Sequence, residues 1–465
     1  MLAQTHIKQQ LDALRHDRTL GFVRLRVACE VNSFLGWLNA QPLYPRIYWH
    51  ARGEERPEYV ALGRIHELTD PAHIARVCAN TQASQVDSPR YFGGLAFDPD
   101  QPPQGENPWQ GFGPCRFDGL ALDPDQPPQG ENPWQGFGPC RFVLPRIELV
   151  RRGECVSLCL NLWFDEHNRE AELAAGHQAL AALVPEAPLP PLTPQQWRRR
   201  DNPDKPEWQQ LVSTVTAPDF QTHTPKVVLS RESRLEGADV NPWSLLARWA
   251  ERAEQCFRFG FQFEPDHGFI ACSPERLYRR EGRHLFSEAL AGTIRRSGDE
   301  ALDARLAAEL LSDSKNRLEN RLVHTDILHR LAPLAHDITL TEPRILKLRL
   351  LQHLKCDIEA ELHPEVCDWQ LLAALHPTPA VGGAPRESAL AFIRAREPYD
   401  RGWYAGACGM LSRETSECSV AIRSARIDPG AVTLFAGAGI VAGSEPAAEW
   451  AELDNKIANV LSLLG

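Results

Sequence analysis

The spacing of apolar and polar positions divides the chain into alternating strand-like runs and helix-like runs. The opening stretch, MLAQTHIKQQLDALR, is a polar helix former. A helix is predicted from Glu207 onward, then a strand, KVVLSRESRLE, and a short helix over residues 242–254. The strand pair FRFGFQFE and HGFIACS follows, and after a turn HLFSEALAGTIRR. Leu302, Leu306, Leu310, Leu318, Leu322 and Ile327 recur at near-helical spacing and predict one long amphipathic helix from Asp299 to about Leu331. Further strands are predicted at ILKLRLLQHLKCDIEAEL, GWYAGACGML, ECSVAIRSARI and VTLFAGAGIV. Strands outnumber helices and come in neighbouring runs. That predicts an α+β architecture with a large, mostly antiparallel sheet rather than a doubly wound parallel one.

The last of these runs carries the first chemical signal. LFAGAGIVAGSEPAAEWAELDNK, residues 434–456, joins an apolar strand to a small-residue turn at Ala436, Gly437, Ala438 and Gly439. A helix then starts near Ser444 and Pro446 and carries Glu449 and Glu452, three apart and on one face. Glycines let backbone N–H groups approach an anion, and paired carboxylates suit a hard cation such as Mg²⁺. An anion-binding turn beside a cation-binding helix describes a site for a small acid held through a metal. An ordinary turn and a solvated helix face are the alternative at this stage.

Composition narrows the class without naming it. The 465 residues are 43% hydrophobic and 24% charged, as in a soluble globular protein. A net charge of −11 and the lack of a Lys/Arg stripe argue against nucleic acid or an anionic membrane as partner. No apolar run is long enough to span a bilayer, and the opening residues lack the apolar stretch of a signal peptide. A cytoplasmic protein is therefore expected. Its twelve cysteines include no CxxC pair, which points to reduced, buried thiols rather than a zinc site.

Residues 93–117 recur as 118–142, differing only at Gly93/Asp118 and Phe97/Leu122. Two copies cannot make a solenoid. A tandem duplication is the plain reading, with one copy's worth of chain displaced onto the surface. Pro185 to Pro206 is Pro-rich and linker-like. It divides an amino-terminal portion, 1–204, from a carboxy-terminal portion, 205–465.

Within 205–465 the ordered motifs KVVLSR, SPERLY, EALAGT, KNRLENRLV, LHPTPAVGGAPR, WYAGACG, AIRSARI and AGAGIV…EWAELDNK form a pattern. It resembles the chorismate-utilising enzymes, the family of isochorismate, anthranilate, aminodeoxychorismate and salicylate synthases. YFGGLAF and LPRIEL extend the likeness into the amino-terminal portion, where the repeat departs from the single copy the family carries. The resemblance implies a two-layer β-sandwich flanked by helices, with the amino-terminal strands joining the same sandwich. The Pro-rich stretch is then a surface crossing.

The resemblance also implies a site. Mg²⁺ is expected on Glu319 and Glu452, with Glu449 near through water. The ring carboxylate of chorismate is expected on that metal and on the backbone around Gly292 and Thr293, with His376 close by. Arg423, Tyr404 and the N–H groups of Gly437 and Gly439 are expected to hold the enolpyruvyl carboxylate, a role that suits the bidentate fork of arginine. Lys226 matches the position that activates water, and Glu275 the acid that protonates the departing C4 hydroxyl. Taken singly, each has a bland alternative: a solvated strand-end lysine, an exposed helix glutamate, a surface-edge arginine, a structural histidine.

Four absences sort the members of the family. Ala291 stands in EALAGT where aminodeoxychorismate synthase has a nucleophilic lysine. No glutaminase portion is present, so no glutaminase partner is expected, and the tryptophan-binding run of feedback-inhibited anthranilate synthases is missing. Ala380 stands in HPTPAV where lyase members usually carry threonine. The phrases QHLKCDIEAEL, YAGACGML and ELDNK look most like menaquinone-pathway isochorismate synthases. Salicylate synthase, and a catalytically dead chorismate-binding homologue, are the alternatives.

Overall fold

The computed structural model describes residues 2–53, 56–70, 74, 88–100, 132–348 and 351–465. Two antiparallel sheets form its body. The larger runs in the order 21–28, 155–164, 147–152, 58–62, 46–50, 257–264, 267–273, 424–428, 431–440 and 226–236. The free edge of strand Lys226–Glu236 takes Gly383–Ala384 near its start and Arg198–Asn202 near its end. The smaller sheet runs 335–340, 351–362, 284–295, 276–281, 415–420, 407–411, 91–95, 140–144 and 66–68, with 344–347 also on 351–362.

Strands from 1–204 and from 205–465 interleave in both sheets. Arg46–His50 pairs with Phe257–Glu264, and Tyr91–Leu95 with Ala407–Leu411. One apolar core lies between the layers, where the Tyr59 ring of one sheet is 5.5 Å from Phe92 of the other. Burying both faces of most strands explains why their sequences read as apolar runs rather than clean alternations.

Two changes of sheet place the site, one between HGFIACS and a strand the sequence did not reveal, the other inside ECSVAIRSARI. Strand His267–Ser273 belongs to the large sheet and Arg276–Glu281 to the small one, so the chain crosses at Pro274 and Glu275. Beside it the chain crosses back, from Thr415–Val420 in the small sheet to Ser424–Asp428 in the large one. ECSVAIRSARI is thus two strands, and Arg423 sits in the joint at φ +50° rather than within a strand. A non-glycine residue there costs about 1–3 kcal/mol and persists only where its surroundings impose it. The two crossings brace each other through Val420 N–H to Glu275 O (3.1 Å) and Cys272 N–H to Arg423 O (3.0 Å).

Other local expectations change for identifiable reasons. Helix Asp299–Leu331 is two helices, Glu300–Ser312 and Ser314–Leu331. Asp313 between them is extended, and its carboxylate accepts from Asn316 N–H at 2.7 Å, capping the second helix. ILKLRLLQHLKCDIEAEL folds back as Arg344–Lys347 on Leu351–Leu362. Only Ala407–Leu411 of GWYAGACGML is strand, leaving Tyr404 on the preceding turn. Ala436–Gly439 is no turn, for strand Ala431–Ile440 runs straight through it. The helix after it spans Pro446–Leu464, as its Pro at the first turn suggests.

In the duplication, the start of the first copy pairs with the end of the second: Gly93 faces Phe142 and Leu95 faces Cys140. Trp134 and Phe137, from the second copy, pack on Phe269 in the core. The chain between, 101–131, lies outside the described residues.

Candidate active site

Where the two crossings part the sheets, a cavity opens. It offers about 80 Å³ to the centre of a water molecule, space for several waters. Strand Ala431–Ile440 forms one wall. Its neighbour Ser424–Asp428 pairs only with residues 431–434, so the edge of 435–440 on that side has no strand among the described residues. On the other side Val228 faces Gly439 and Ser230 faces Gly437. Val228 N–H bonds instead to Gly382 O (2.9 Å) and Ser230 N–H to Glu397 (2.8 Å). In an antiparallel ladder opposed residues exchange both bonds or neither. The amides of Gly437 and Gly439 therefore point away from that strand, and Gly437 O accepts from Lys456 Nζ at 2.8 Å.

Both glycines let neighbouring side chains approach closely. A Cβ on Gly437 would stand 2.8 Å from the Tyr404 hydroxyl, and one on Gly439 only 2.4 Å from Glu319 Oε1. A second wall is a β-bulge, in which Ala291 and Gly292 together oppose Leu354. Gly292 has φ +85°, open to glycine and costly for other residues. Buried Asn320 holds the bulge through the carbonyls of Ala289, Ala291 and Leu354, and Asn316 Oδ1 accepts from Thr293 N–H at 3.2 Å.

Charged groups converge from three elements. Lys315 and Glu319 line the cavity from one turn of helix Ser314–Leu331. Glu449, Glu452 and Lys456 do so from one face of the last helix. Each carboxylate has a lysine: Glu319 Oε1 lies 3.0 Å from Lys226 Nζ, Glu449 2.7 Å from Lys315, and Glu452 2.6 Å from Lys456. Lys226 is fully buried behind Glu319, and its ammonium sits at ion-pair distance but off the line of a hydrogen bond. Burial and the charge of Glu452 raise the pKa of Glu449. Burial also acts on Glu452, yet Lys456, Lys315 and Arg423 hold it below the usual range. Arg423 lines the cavity without an ion pair among the described residues, its charge disfavoured by burial.

Glu275 is the opposite case. Burial, reinforced by Glu288, lifts its pKa to about 8 against the pull of Lys226, Arg423 and Lys456. A carboxylic acid that keeps its proton at neutral pH thus faces the same space as an unpaired arginine and three carboxylates. The arrangement can grip an anion and donate a proton.

The sequence profile described as "Chorismate binding enzyme" matches residues 9–465. The chain belongs to the chorismate-binding enzyme family. It is 35% identical over 431 residues to the isochorismate synthase MenF of Escherichia coli K12, covering 92% of this chain and 90% of that one. It is 34% identical to the salicylate biosynthesis isochorismate synthase of Pseudomonas aeruginosa, over 90% and 86% of the two chains. Among solved structures, the menaquinone-specific isochorismate synthase MenF of Escherichia coli superposes with a TM-score of 0.84 and 31% identity, covering 100% of this chain and 99% of that one.

Of the residues expected from the family pattern, Glu275, Gly292, Thr293, Glu319, Tyr404, Arg423, Gly437, Gly439, Glu449 and Glu452 line the cavity, and Lys226 stands behind it. His376 does not. It ends helix Asp368–Leu375, buried, with Nε2 2.9 Å from Ala96 O. The histidine of the cavity is His353, opposite Thr293 in the sheet, with Nδ1 3.0 Å from Thr293 Oγ1. Burial and the nearby Arg423 and Lys456 hold it neutral, with a pKa of about 3. Lys315, Asn316 and Lys456 were also missed. Lys456 had a signal, since it follows Glu452 by four on the same helix face.

Proposed function

We propose that this member of the family is an isochorismate synthase that moves the hydroxyl of chorismate from C4 to C2 by adding water, in the route to menaquinone. One observation carries the reading: Glu275, whose pKa burial lifts to about 8, shares one cavity with Arg423, and Lys226 stands directly behind that cavity beside Glu319. Water is a poor nucleophile and hydroxide a poor leaving group, so the displacement needs a base and an acid. Lys226, in its neutral form, takes the proton from the attacking water. Glu275 gives its proton to the C4 oxygen as it leaves. Arg423, the Tyr404 hydroxyl and the amides of Gly437 and Gly439 hold the enolpyruvyl carboxylate. Thr293 and the bulge at Gly292 position the ring carboxylate.

Glu319, Glu449 and Glu452 bring carboxylate oxygens from two helices to one cavity, the donor type a hard cation takes. Each is paired with a lysine that the cation would displace, and the three do not form a ready-made ligand cluster among the described residues. The raised pKa of Glu449 beside Glu452 marks negative charge that a cation would relieve. Glu319 and Glu452 would hold Mg²⁺, with Glu449 near. When bound, the ion supplies positive charge that neutralises the ring carboxylate.

Ala380 lines the cavity and offers no hydroxyl, which favours the synthase over pyruvate elimination. Ala291, also in the lining, offers no amine nucleophile. With water as nucleophile no glutaminase partner is needed. No helix among the described residues is long and apolar enough to cross a membrane. A cytoplasmic site of action is consistent with that. Turnover in ¹⁸O-labelled water tests the mechanism: the label enters the product hydroxyl at C2, whereas an unlabelled product contradicts attack by water.

A further inference from the structure

The geometry points to Glu288, clamped by Arg52, as the positioning residue that fixes Glu275 for proton transfer. This rests on the reading of Glu275 as the acid. Glu275 stands on a two-residue crossing between sheets, a segment with no ladder of its own. Its backbone is gripped from every side. Arg52 donates to Pro274 O, just before it. Ser419 Oγ and Val420 N–H donate to its own carbonyl at 2.8 and 3.1 Å. Glu288 Oε1 accepts from Arg276 N–H, just after it, at 2.7 Å.

Arg52 and Glu288 are one unit. The guanidinium meets both carboxylate oxygens, at 2.9 and 2.6 Å, and both side chains are buried. Lys355 adds a contact to Glu288 Oε2 at 2.9 Å. A bidentate pair fixes direction as well as distance. Arg52 follows the strand Arg46–His50 of the amino-terminal portion, whereas Glu288 sits on the strand that carries the bulge at Gly292. The clamp thus ties the acid to the wall expected to hold the ring carboxylate. It also places an anion beside Glu275, whose other charged neighbours, Lys226, Arg423 and Lys456, are all cationic. The carboxylate of Glu288 therefore does two things: it holds the crossing and it adds to the burial that favours the protonated form of Glu275.

Three variants test this in the intact protein, with kcat and KM for chorismate measured from pH 6 to 9. Glu288→Gln keeps the shape but removes the anion. The basic limb of the kcat profile should move down by roughly one pH unit, the scale of a close charge. With the acid's pKa falling from about 8, kcat at pH 8 drops about fivefold while kcat at pH 6 and KM hardly change. Glu288→Asp, still anionic, should restore the limb. Arg52→Lys keeps the charge but loses the fork, so kcat should fall at every pH with KM preserved. If Glu288→Gln does not fold, Arg52→Lys decides alone, and an unchanged kcat there overturns the proposal. So does an unmoved basic limb in a folded Glu288→Gln. Glu275→Gln is the parallel control: if it retains turnover, the reading of Glu275 as acid has failed instead.

Discussion

Replacing Gly439 with alanine separates the demands of folding from those of chemistry at a single atom. Gly439 has an ordinary strand conformation in Ala431–Ile440, so alanine meets no backbone strain. Gly→Ala changes of that kind stabilise by about 0.4–1 kcal/mol through the unfolded chain. The added Cβ, however, would lie 2.4 Å from Glu319 Oε1 and 3.2 Å from Lys226 Cε. Ordinary contact begins at 3.4 Å, so the carboxylate must retreat by 3.4 − 2.4 = 1.0 Å. It is the far end of a flexible side chain and can do so without unfolding anything. Its 3.0 Å pairing with Lys226 cannot survive the move. A misplacement of that size in a reacting constellation costs on the order of 10²-fold. Gly439→Ala should therefore melt at or slightly above the parent temperature while kcat on chorismate falls about a hundredfold. Turnover equal to the parent would show that the Lys226–Glu319 geometry does not matter. A lower melting temperature would show that the glycine serves the fold.

Glu275→Gln should lower kcat by roughly 10² to 10⁴ with chorismate binding retained. In the parent, kcat should decline as pH rises through about 8, because the acid form is the active one; a rate that climbs steadily past pH 8 contradicts the assignment. Glu452→Ala should raise the Mg²⁺ needed for half-maximal rate, and excess EDTA should silence the parent, so full activity in EDTA removes the metal from the account. Deleting residues 118–142, one copy of 25 residues (142 − 118 + 1), places Trp109 and Phe112 where Trp134 and Phe137 now pack. Folded, active protein with equal or greater thermal stability is expected; folded but inactive protein would show that the extra copy shapes the site.

Strands such as Lys226–Glu236 and His284–Arg295, and the helix Pro446–Leu464, were legible because their periodicity is local. The crossings at Glu275 and Arg423 were not. ECSVAIRSARI reads as one run with nothing to mark where the chain changes sheet, and the strand after Glu275, Arg276–Glu281, is too polar to show as one. The same limit hid the break at Asp313, where the helical pattern of leucines continues across a capping aspartate. The motif pointed to His376, and His353 was passed over. His353 is one of several polar residues in the strand Leu351–Leu362, and only its register opposite Thr293 distinguishes it. Arg423 and Glu275 were found through their motifs, while their reason for being there, the paired crossings, needed the fold.

The central claim is that this cavity adds water to chorismate, and purified protein incubated with chorismate and Mg²⁺ tests it most directly. Isochorismate should accumulate, with no pyruvate released. Chorismate bound but returned unchanged, or pyruvate appearing in step with its loss, would contradict the account.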